Sequence, residues 1–467
     1  MRQIALFAGL VNYGNSRRLD HYIGEIANNF ALLGFDVDIY AANDYTRNGE
    51  NYGLNKNINF FKLNRKITSK NYAMLLSINN ALMTERLDCL SKIPVIDLLV
   101  DDFNHLFKHD NCSIYEQFNI AKYILFSSHS HINRLEKNNL TIKGRVYFYP
   151  TATTSVFNRS TEQLNLLKKY NISWIATLLD VSGISLMFQQ CINAQDKIDL
   201  LRNAVKCVKG GRHIQYYERL GEFSLDTIIS EYKWTKAHFE IQVQNLISND
   251  LRITVANDLH RFGLHIFGNS EWALAAAYHP KIMDIYHDGG NIASHDDIMR
   301  IYNSSKICIN VSQIQTESAL PYRVIDILAS DALLITNYHS ESDAFAIFGK
   351  DCPIVMYKSI DELVRLCDYY LAHEDERLAL VERCNDLVKN GFDFKDRCKD
   401  ILNLAGVTCE DDVSSTGYLK YINSGTFVRI SVKIKVQFKS GVVQLVKYFL
   451  KKIPFSLRRS LLINLRN

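Results

Sequence analysis

The chain has 467 residues, of which 47% are hydrophobic and 22% charged, and these proportions exclude a disordered, collagen-like or coiled-coil protein. A chain of this length is too long to fold around one ordinary hydrophobic core, and it therefore predicts two domains with additional segments. The net charge of +4 lies at the carboxyl end, where ten basic residues and no acidic residue follow from Arg429 onward, so the pattern favours a basic appendage over a nucleic-acid-binding face.

The cysteines and the apolar runs indicate the compartment. The ten cysteines are scattered without a CxxC pair or a close His/Cys grouping, which predicts free thiols in a reducing environment and no zinc site. No stretch approaches the roughly 18 to 20 continuous apolar residues of a membrane-spanning helix. The apolar run near Met1 lacks a small-residue cleavage site. We therefore expect a cytoplasmic protein.

The amino-terminal half has the pattern of alternating strands and helices. Residues 3–9 form an apolar run, a polar loop follows, and apolar residues recur at helical spacing from Leu19 to Leu33, before Gly34. Residues 35–39 alternate as in a strand. This β-loop-α-β unit predicts a parallel sheet of the Rossmann type. Further apolar runs predict strands within 93–102, 121–128 and 145–150.

The second half repeats this organisation without a detectable sequence repeat. The sequence becomes polar after Pro150, and a new apolar run begins within 171–183. Strands are then predicted at LHIFGN, KICINV, ALLITN and PIVMY, with helices at HDDIMRIYNSS, YRVIDILAS and IDELVRLCDYYLA. We expect two Rossmann-like domains, 1–155 and 170–406.

Residues 429–467 form a basic extension. Apolar residues first alternate with basic ones, and two amphipathic segments then carry leucine and valine on one face and lysine and arginine on the other. Helices with these faces lie in membrane interfaces. The alternative is that the extension packs on the rest of the protein or on a partner protein.

The most informative stretch is 264–343, which contains LHIFGNSEW, GGNIASHDDIMRIYNSSKICINVS and LPYRVIDILASDALLITNYHSES in that order. It resembles the CgeB-like glycosyltransferases of the glycosyl transferases group 1 set, well over 264–405 and only in pattern before that. The resemblance implies the α/β fold called GT-B, in which two Rossmann-like domains face a cleft. The amino-terminal domain would serve the acceptor and the carboxyl-terminal domain the nucleotide-sugar donor.

The resemblance also implies a donor site. Gly268 and Asn269 would end a strand where the backbone approaches the donor. Arg323, at a helix start, would contact the diphosphate, and Asp326 would accept hydrogen bonds from the ribose hydroxyls. Tyr302 shares a helical stripe with Ile298 and Ile301 that is expected to lie in the core, and it could in addition stack or cap near the base. In isolation, an Arg followed three residues later by an Asp is more often a solvated pair.

Two departures from the family pattern leave the donor and the stereochemistry open. Asp331 stands where relatives usually have glycine. Many retaining relatives have two Glu residues eight positions apart, whereas Ser318 and Asp326 hold these positions here and Glu317 is one residue off. We include Glu317 and Ser318 in the donor site. No metal is expected, because arginine and helix dipoles replace a cation in this architecture.

The acceptor-side groups are expected past the strands of the amino-terminal half. Asp102 with His105 is the first candidate for catalysis and His129 the second. Asp102 could instead cap the following helix. Gly14 and Asn15, in the first β/α loop, could approach the donor phosphates or the acceptor.

These features predict a glycosyltransferase that acts on a glycan or lipid-linked acceptor in bacterial surface polysaccharide synthesis, peripherally bound to the membrane by its basic extension. No nucleic-acid partner is expected. Two alternatives remain. One is a nucleotide-sugar epimerase or polyol-phosphate transferase of the same fold. The other is a non-catalytic transferase domain in a membrane-bound assembly, which Asp331 and the altered Glu spacing favour.

Overall fold

A computed structural model of the chain describes residues 2–9, 11–13, 16–41, 65–79, 92–100, 122–137, 146–153, 168–209, 229–232, 234, 236–289, 292, 295–389, 391–409, 417–422 and 427–430. The chain packs as two compact units. The first comprises Met1–Ile96 and Cys398–Asn467, and the second is Asp97–Arg397. The first boundary falls inside a strand, β6 (Val95–Leu99). The domain bounds 1–155 and 170–406 stay predictions.

The first unit begins with the predicted β-loop-α-β segment. Strand β1 (Gln3–Ala8) is buried over most of its length, and helix α1 (His21–Leu32) leads to β4 (Asp36–Ala41), which pairs in parallel with β1. The Asp20 carboxylate accepts a hydrogen bond from the Tyr22 N–H and so caps the helix. The expected polar loop contains a short antiparallel hairpin of β2 (Val11–Tyr13) and β3 (Ser16–Arg18).

The same sheet receives strands from distant parts of the chain. Strand β5 (Tyr72–Ile78) pairs in parallel with β1 on the side away from β4. Strand β15 (Leu419–Ile422) pairs in parallel with β4, and β16 (Phe427–Ile430) pairs antiparallel with β15. The order is therefore β16-β15-β4-β1-β5. Of the predicted basic extension, only Arg429 and Ile430 lie within the described residues, at the end of β16.

The second unit begins with three short neighbouring strands. Strands β6, β7 (Tyr123–Phe126) and β8 (Val146–Phe148) are neighbours in that order. Helix α2 (His129–Lys137) follows β7. These strands occupy the three apolar runs predicted at 93–102, 121–128 and 145–150.

A six-stranded sheet forms the main part of the second unit. Its neighbouring strands pair in parallel in the order β11-β10-β9-β12-β13-β14. The bounds are β9 (Tyr170–Ile175), β10 (Leu264–Gly268), β11 (Tyr286–Asp288), β12 (Ser305–Asn310), β13 (Leu333–Asn337) and β14 (Val355–Tyr357). The predicted strands LHIFGN, KICINV, ALLITN and PIVMY correspond to β10, β12, β13 and β14.

Helices cover both faces of this sheet. Those after β8 are α3 (Ser182–Cys191), α4 (Gln195–Lys209), α5 (Lys236–Leu259), α6 (Glu271–Tyr278), α7 (Pro280–Ile285), α8 (His295–Asn303), α9 (Tyr322–Leu328), α10 (Asp343–Phe348), α11 (Ile360–Ala372), α12 (Glu374–Val388) and α13 (Phe394–Ala405). On one face Trp174 and Trp272 pack edge to face in a core that includes residues of α5 and α11. On the other, Tyr302 packs with α9 and α12.

The length and the hydropathy of the helices in the described ranges bear on membrane insertion. None of them combines the length and the apolar character that crossing a bilayer requires.

Candidate functional site

The order of the six-stranded sheet defines where a ligand can bind. The chain leaves β9 to form β10 and β11 on one side, and then returns to form β12 on the other side of β9. The loops that follow β9 and β12 therefore diverge at the carboxyl ends of two neighbouring strands. Open parallel sheets bind ligands in the crevice at this switch point.

Two arginine side chains donate hydrogen bonds to backbone carbonyl groups at this switch point. The Arg323 Nη1 donates to the carbonyl oxygen of Ile175, the last residue of β9, at 3.0 Å. Arg252, from α5, donates to the carbonyl oxygen of Thr177 and, at 3.4 Å, to that of Val311. These carbonyl groups belong to the end of β9 and to the loops after β9 and β12, so both guanidinium groups lie where the loops diverge.

The two guanidinium groups make this position electropositive. Arg252 is only 1% exposed, and burial together with the positive charge of Arg323 lowers its pKa. Among the described residues, neither Arg252 nor Arg323 forms an ion pair with a carboxylate. Two neighbouring arginines without an acidic partner favour a bound anion, and a planar guanidinium matches phosphate oxygens.

Two asparagine side chains hold the loop after β9. The amide of Asn269 accepts from the Leu178 N–H at 2.9 Å and donates to the Leu178 carbonyl at 2.8 Å. Asn249 makes the same two bonds to Leu179, at 2.9 and 2.8 Å. These amides act as peptide groups would in a strand ladder. The side chain of Asn269 is thus engaged by its own protein, and its donor contact stays a prediction.

Gly268 ends β10, as the sequence pattern predicts, but its surroundings give the glycine a packing role. A Cβ atom at this position would lie 2.3 Å from the Cδ1 of Trp272 and 2.4 Å from the carbonyl oxygen of Ala176. The indole Nε1 of Trp272 donates to that same carbonyl at 2.8 Å. The glycine therefore allows Trp272 to pack over the end of β9, and the approach of a donor stays a prediction.

His129 is held by a carboxylate that sequence reasoning did not single out. The Nδ1 of His129 lies 2.9 Å from the Oδ1 of Asp343, and its backbone N–H donates to the Oδ2 at 3.2 Å. The imidazole also stacks on Phe148, with ring centroids 3.7 Å apart. Burial raises the pKa of Asp343. When Asp343 is ionised, it accepts from Nδ1–H and leaves Nε2 as the basic nitrogen.

A group of serines joins α2 to the segment before α9. The hydroxyl of Ser318 lies 3.0 Å from that of Ser128 and accepts from the backbone N–H of Ser130 at 3.1 Å. The carbonyl oxygen of Ser318 accepts from the Asp343 N–H at 2.8 Å. Ser318 therefore contacts both segments that carry the His129–Asp343 pair.

Glu317 lies next to this group in an unusual backbone conformation. Its φ is 51° and its ψ −117°, a region that costs a residue other than glycine about 1 to 3 kcal/mol. Its carboxylate lies 3.2 Å from the Nη1 of Arg134, whose Nη2 lies 3.8 Å from a carboxylate oxygen of Glu240. The ion pair with α2 holds Glu317, and strain of this kind is typical of functional positions.

Tyr302 and Asp326 lie inside the unit. Tyr302 is packed in the core, where burial and the nearby Asp326 raise its pKa. Asp326 is 0% exposed, and its Oδ1 lies 3.6 Å from the Nε2 of His295. Neither side chain reaches the surface of this unit, so the base and ribose contacts stay predictions.

Gly14, Asn15, Asp102 and His105 lie outside the described residues. In the described part of the chain, no three His, Cys, Asp or Glu side chains lie close enough together to share a metal ion.

Helix α5 supplies a polar face that the sequence analysis missed. Four polar side chains recur every fourth residue and are all buried, namely Glu240, Gln244, Ser248 and Arg252. The Ser248 hydroxyl accepts from the Ile314 N–H at 3.2 Å, in the loop after β12. The recurrence of a polar residue at every fourth position is the signal that could have revealed this face.

Comparison with known proteins supports the fold. Residues 251–403 match a family model described as glycosyl transferase-like. No curated protein matches the sequence. The crystal structure of HepE from Anabaena in complex with UDP and glucose is similar with a TM-score of 0.50 and 8% identity, covering 87% of this chain and 100% of HepE. WaaG, a glycosyltransferase involved in lipopolysaccharide biosynthesis, has a TM-score of 0.50 and 9% identity, covering 86% and 100%. The fold is the α/β fold of the GT-B glycosyltransferases.

Proposed function

We propose that this chain is a glycosyltransferase that moves a sugar from a nucleotide-sugar donor to an acceptor glycan or glycolipid. The observation that carries the proposal is the pair of guanidinium groups, Arg252 and Arg323, at the carboxyl ends of β9 and β12. Both arginines fall within the segment that matches the glycosyl transferase-like family, residues 251–403. A donor diphosphate supplies the anion that this position favours.

The proposed chemistry places the leaving group at the two arginines. As the bond between the anomeric carbon and the diphosphate oxygen breaks, negative charge develops on that oxygen. Arg323, which is partly exposed, stabilises this charge directly, and the buried positive charge of Arg252 beside it adds to the effect. The arginines would therefore bind the transition state more tightly than the intact donor.

The acceptor hydroxyl needs a base if it attacks the anomeric carbon directly. His129 fits this role, because Asp343 orients its imidazole through Nδ1 and its side chain is 43% exposed. The hydroxyl proton would pass to Nε2 while the acceptor oxygen bonds to the anomeric carbon. The proposal therefore favours an inverting transfer.

UDP-glucose is the first donor to test, because HepE is described with UDP and glucose bound. For the acceptor, the basic region beyond Arg429 favours a molecule at an anionic membrane surface. We therefore place the reaction in the assembly of a bacterial surface polysaccharide.

Isothermal titration with UDP and a panel of nucleotide sugars tests the donor site. Arg323→Ala should weaken the binding of UDP on the order of 10- to 100-fold, because one charge-assisted contact to the diphosphate is lost. Arg300→Ala is the matched control, since Arg300 is exposed and forms an ion pair with Asp297 on the same helix. The control should bind UDP as the unchanged protein does.

The binding data test the proposed donor site, and product analysis tests the proposed transfer reaction. If the unchanged protein binds no nucleotide sugar of the panel, or if Arg323→Ala binds as tightly as Arg300→Ala, the proposed donor site is wrong. Binding without product in the presence of many acceptors would favour the non-catalytic alternative.

A further inference from the structure

The polar face of α5 carries one side chain whose polar group is not accounted for by hydrogen bonds or ion pairs among the described residues. Glu240 approaches Arg134, Ser248 accepts from Ile314, and Arg252 donates to the loops after β9 and β12. Gln244 lies between Glu240 and Ser248 on the same face. It is the member of the series whose role the protein's own contacts do not supply.

The amide of Gln244 is buried without a full set of hydrogen bonds. The residue is only 3% exposed, and its Oε1 has no hydrogen-bond donor among the described residues. A buried amide oxygen without a partner costs free energy, and a methionine of similar shape would avoid that cost. An unpaired amide oxygen on the same helix face as Arg252 therefore indicates a donor group that comes from a bound molecule.

The position of Gln244 relative to the arginines indicates which molecule. Gln244 lies eight residues before Arg252, which corresponds to about 12 Å along the helix axis. This span is comparable with a diphosphate and the sugar ring attached to it. A neutral amide oxygen accepts from a hydroxyl group, whereas it repels a phosphate oxygen.

We propose that Gln244 determines donor specificity by accepting a hydrogen bond from a hydroxyl group of the transferred sugar. The inference rests on the proposed function, because it takes the diphosphate to lie at Arg252 and Arg323. It assigns the nucleoside diphosphate to one end of the polar face of α5, and the sugar to the middle of that face.

The test compares UDP with UDP-glucose, UDP-galactose and UDP-N-acetylglucosamine by isothermal titration. Gln244→Met should bind UDP within about twofold of the unchanged protein. Its ratio of affinities between the preferred and the least preferred sugar should fall at least about fivefold, because one hydrogen bond to a hydroxyl is lost. The melting temperature of the free protein should rise by about 2 to 4 °C, since the unsatisfied amide is removed.

Gln242→Met is the matched control. Gln242 lies on the same helix, two positions away, and its Oε1 also has no hydrogen-bond donor among the described residues. Two positions turn the side chain by about 200° around the axis, so the control points away from the polar face. It should keep the sugar preference of the unchanged protein.

Three results would overturn the inference. In the first, Gln244→Met keeps the full preference among the sugars. In the second, Gln244→Met melts lower and loses UDP as well, which assigns the side chain to the fold or to a buried water. In the third, the unchanged protein binds no nucleotide sugar, which overturns the proposed function and the inference that rests on it. Only the first two leave the proposed function intact.

Discussion

The carboxylate of Asp343 contacts His129 at both the imidazole and the backbone, and burial raises the pKa of this carboxyl group. A carboxyl group whose pKa is higher in the folded than in the unfolded chain stabilises the fold below the unfolded pKa, about 4. That contribution is lost as the pH rises through the folded value. The contact with His129 partly offsets this loss, because it favours the ionised carboxylate.

Asp343→Asn should separate catalysis from stability. We expect the transfer rate to fall about 100-fold or more, because an amide does not fix the Nδ1–H tautomer of His129. The melting temperature at neutral pH should not fall, and its decline above pH about 4 should become smaller. Rates measured against pH, together with melting temperatures over the same range, test both expectations.

Asp297→Asn serves as the control for Asp343→Asn. Asp297 forms an ion pair with the exposed Arg300 on α8, so its replacement should change neither the rate nor the pH dependence of stability. An unchanged transfer rate in Asp343→Asn would show that His129 is not the base.

Residue-scale prediction from the sequence succeeded where the local pattern decides the position. Arg323 and Gly268 lie at the ends of elements, as expected, because the helix and strand that carry them have clear local signals. The contact between His129 and Asp343 joins residues 214 positions apart, and no local pattern encodes such a contact. The burial of Asp326 was also unpredicted, since it depends on how α9 turns against α8 and α12.

At the scale of elements, the end of β10 depends on a single glycine. Gly268→Ala would force its Cβ against the Trp272 ring and the Ala176 carbonyl. We expect a loss of about 1 to 3 kcal/mol of unfolding free energy through overpacking. The loss should appear as a lower urea midpoint for the transition of the second unit, followed by tryptophan fluorescence.

Gly24→Ala provides the opposite expectation. Gly24 lies within α1, and a Cβ there would meet no atom within 4 Å. Alanine should stabilise this helix by about 0.5 to 1 kcal/mol, because glycine is the more flexible residue in the unfolded chain. Equal urea midpoints for Gly268→Ala and the unchanged protein would contradict the packing role of Gly268.

The elements that the sequence predicted best are the buried parallel strands of the second unit. Their apolar runs are bounded by polar residues, so β10, β12 and β13 are recognisable one at a time. The neighbours of a strand are harder to predict, because pairing is non-local. The addition of β15 beside β4 joins segments 382 positions apart and was not expected.

Helix α5 shows a further limit of pattern reading. Its sequence mixes polar and apolar residues, and the structure buries Glu240, Gln244, Ser248, Asn249 and Arg252. Polarity alone does not separate a face in water from a face that lines a site. The regular spacing of four residues carries that information only when the adjoining faces are apolar.

At the scale of the whole molecule, the charge is divided unevenly along the chain. Nine basic residues follow Ile430 without an acidic residue. Each contributes about 1 kcal/mol near an anionic membrane surface, and apolar burial adds to this. The structure also locates a suitable truncation point, because Ile430 ends β16, and a shorter chain that keeps residues 1–430 retains every described strand.

Liposome flotation tests the membrane role of this region in the full chain and in the chain that ends at Ile430. The full chain should float with vesicles rich in phosphatidylserine, and it should be released by 0.5 M salt, because salt screens surface charge. A full-length variant with glutamine at the nine basic positions removes the positive charge and keeps the apolar residues, so it shows how much of the binding depends on charge. Vesicles of neutral lipid show how much of the binding depends on the negative charge of the lipid. Equal flotation of the shortened and full chains would rule out membrane binding through this region. Reduced flotation with unchanged UDP affinity would assign membrane binding to the basic region and donor binding to the second unit.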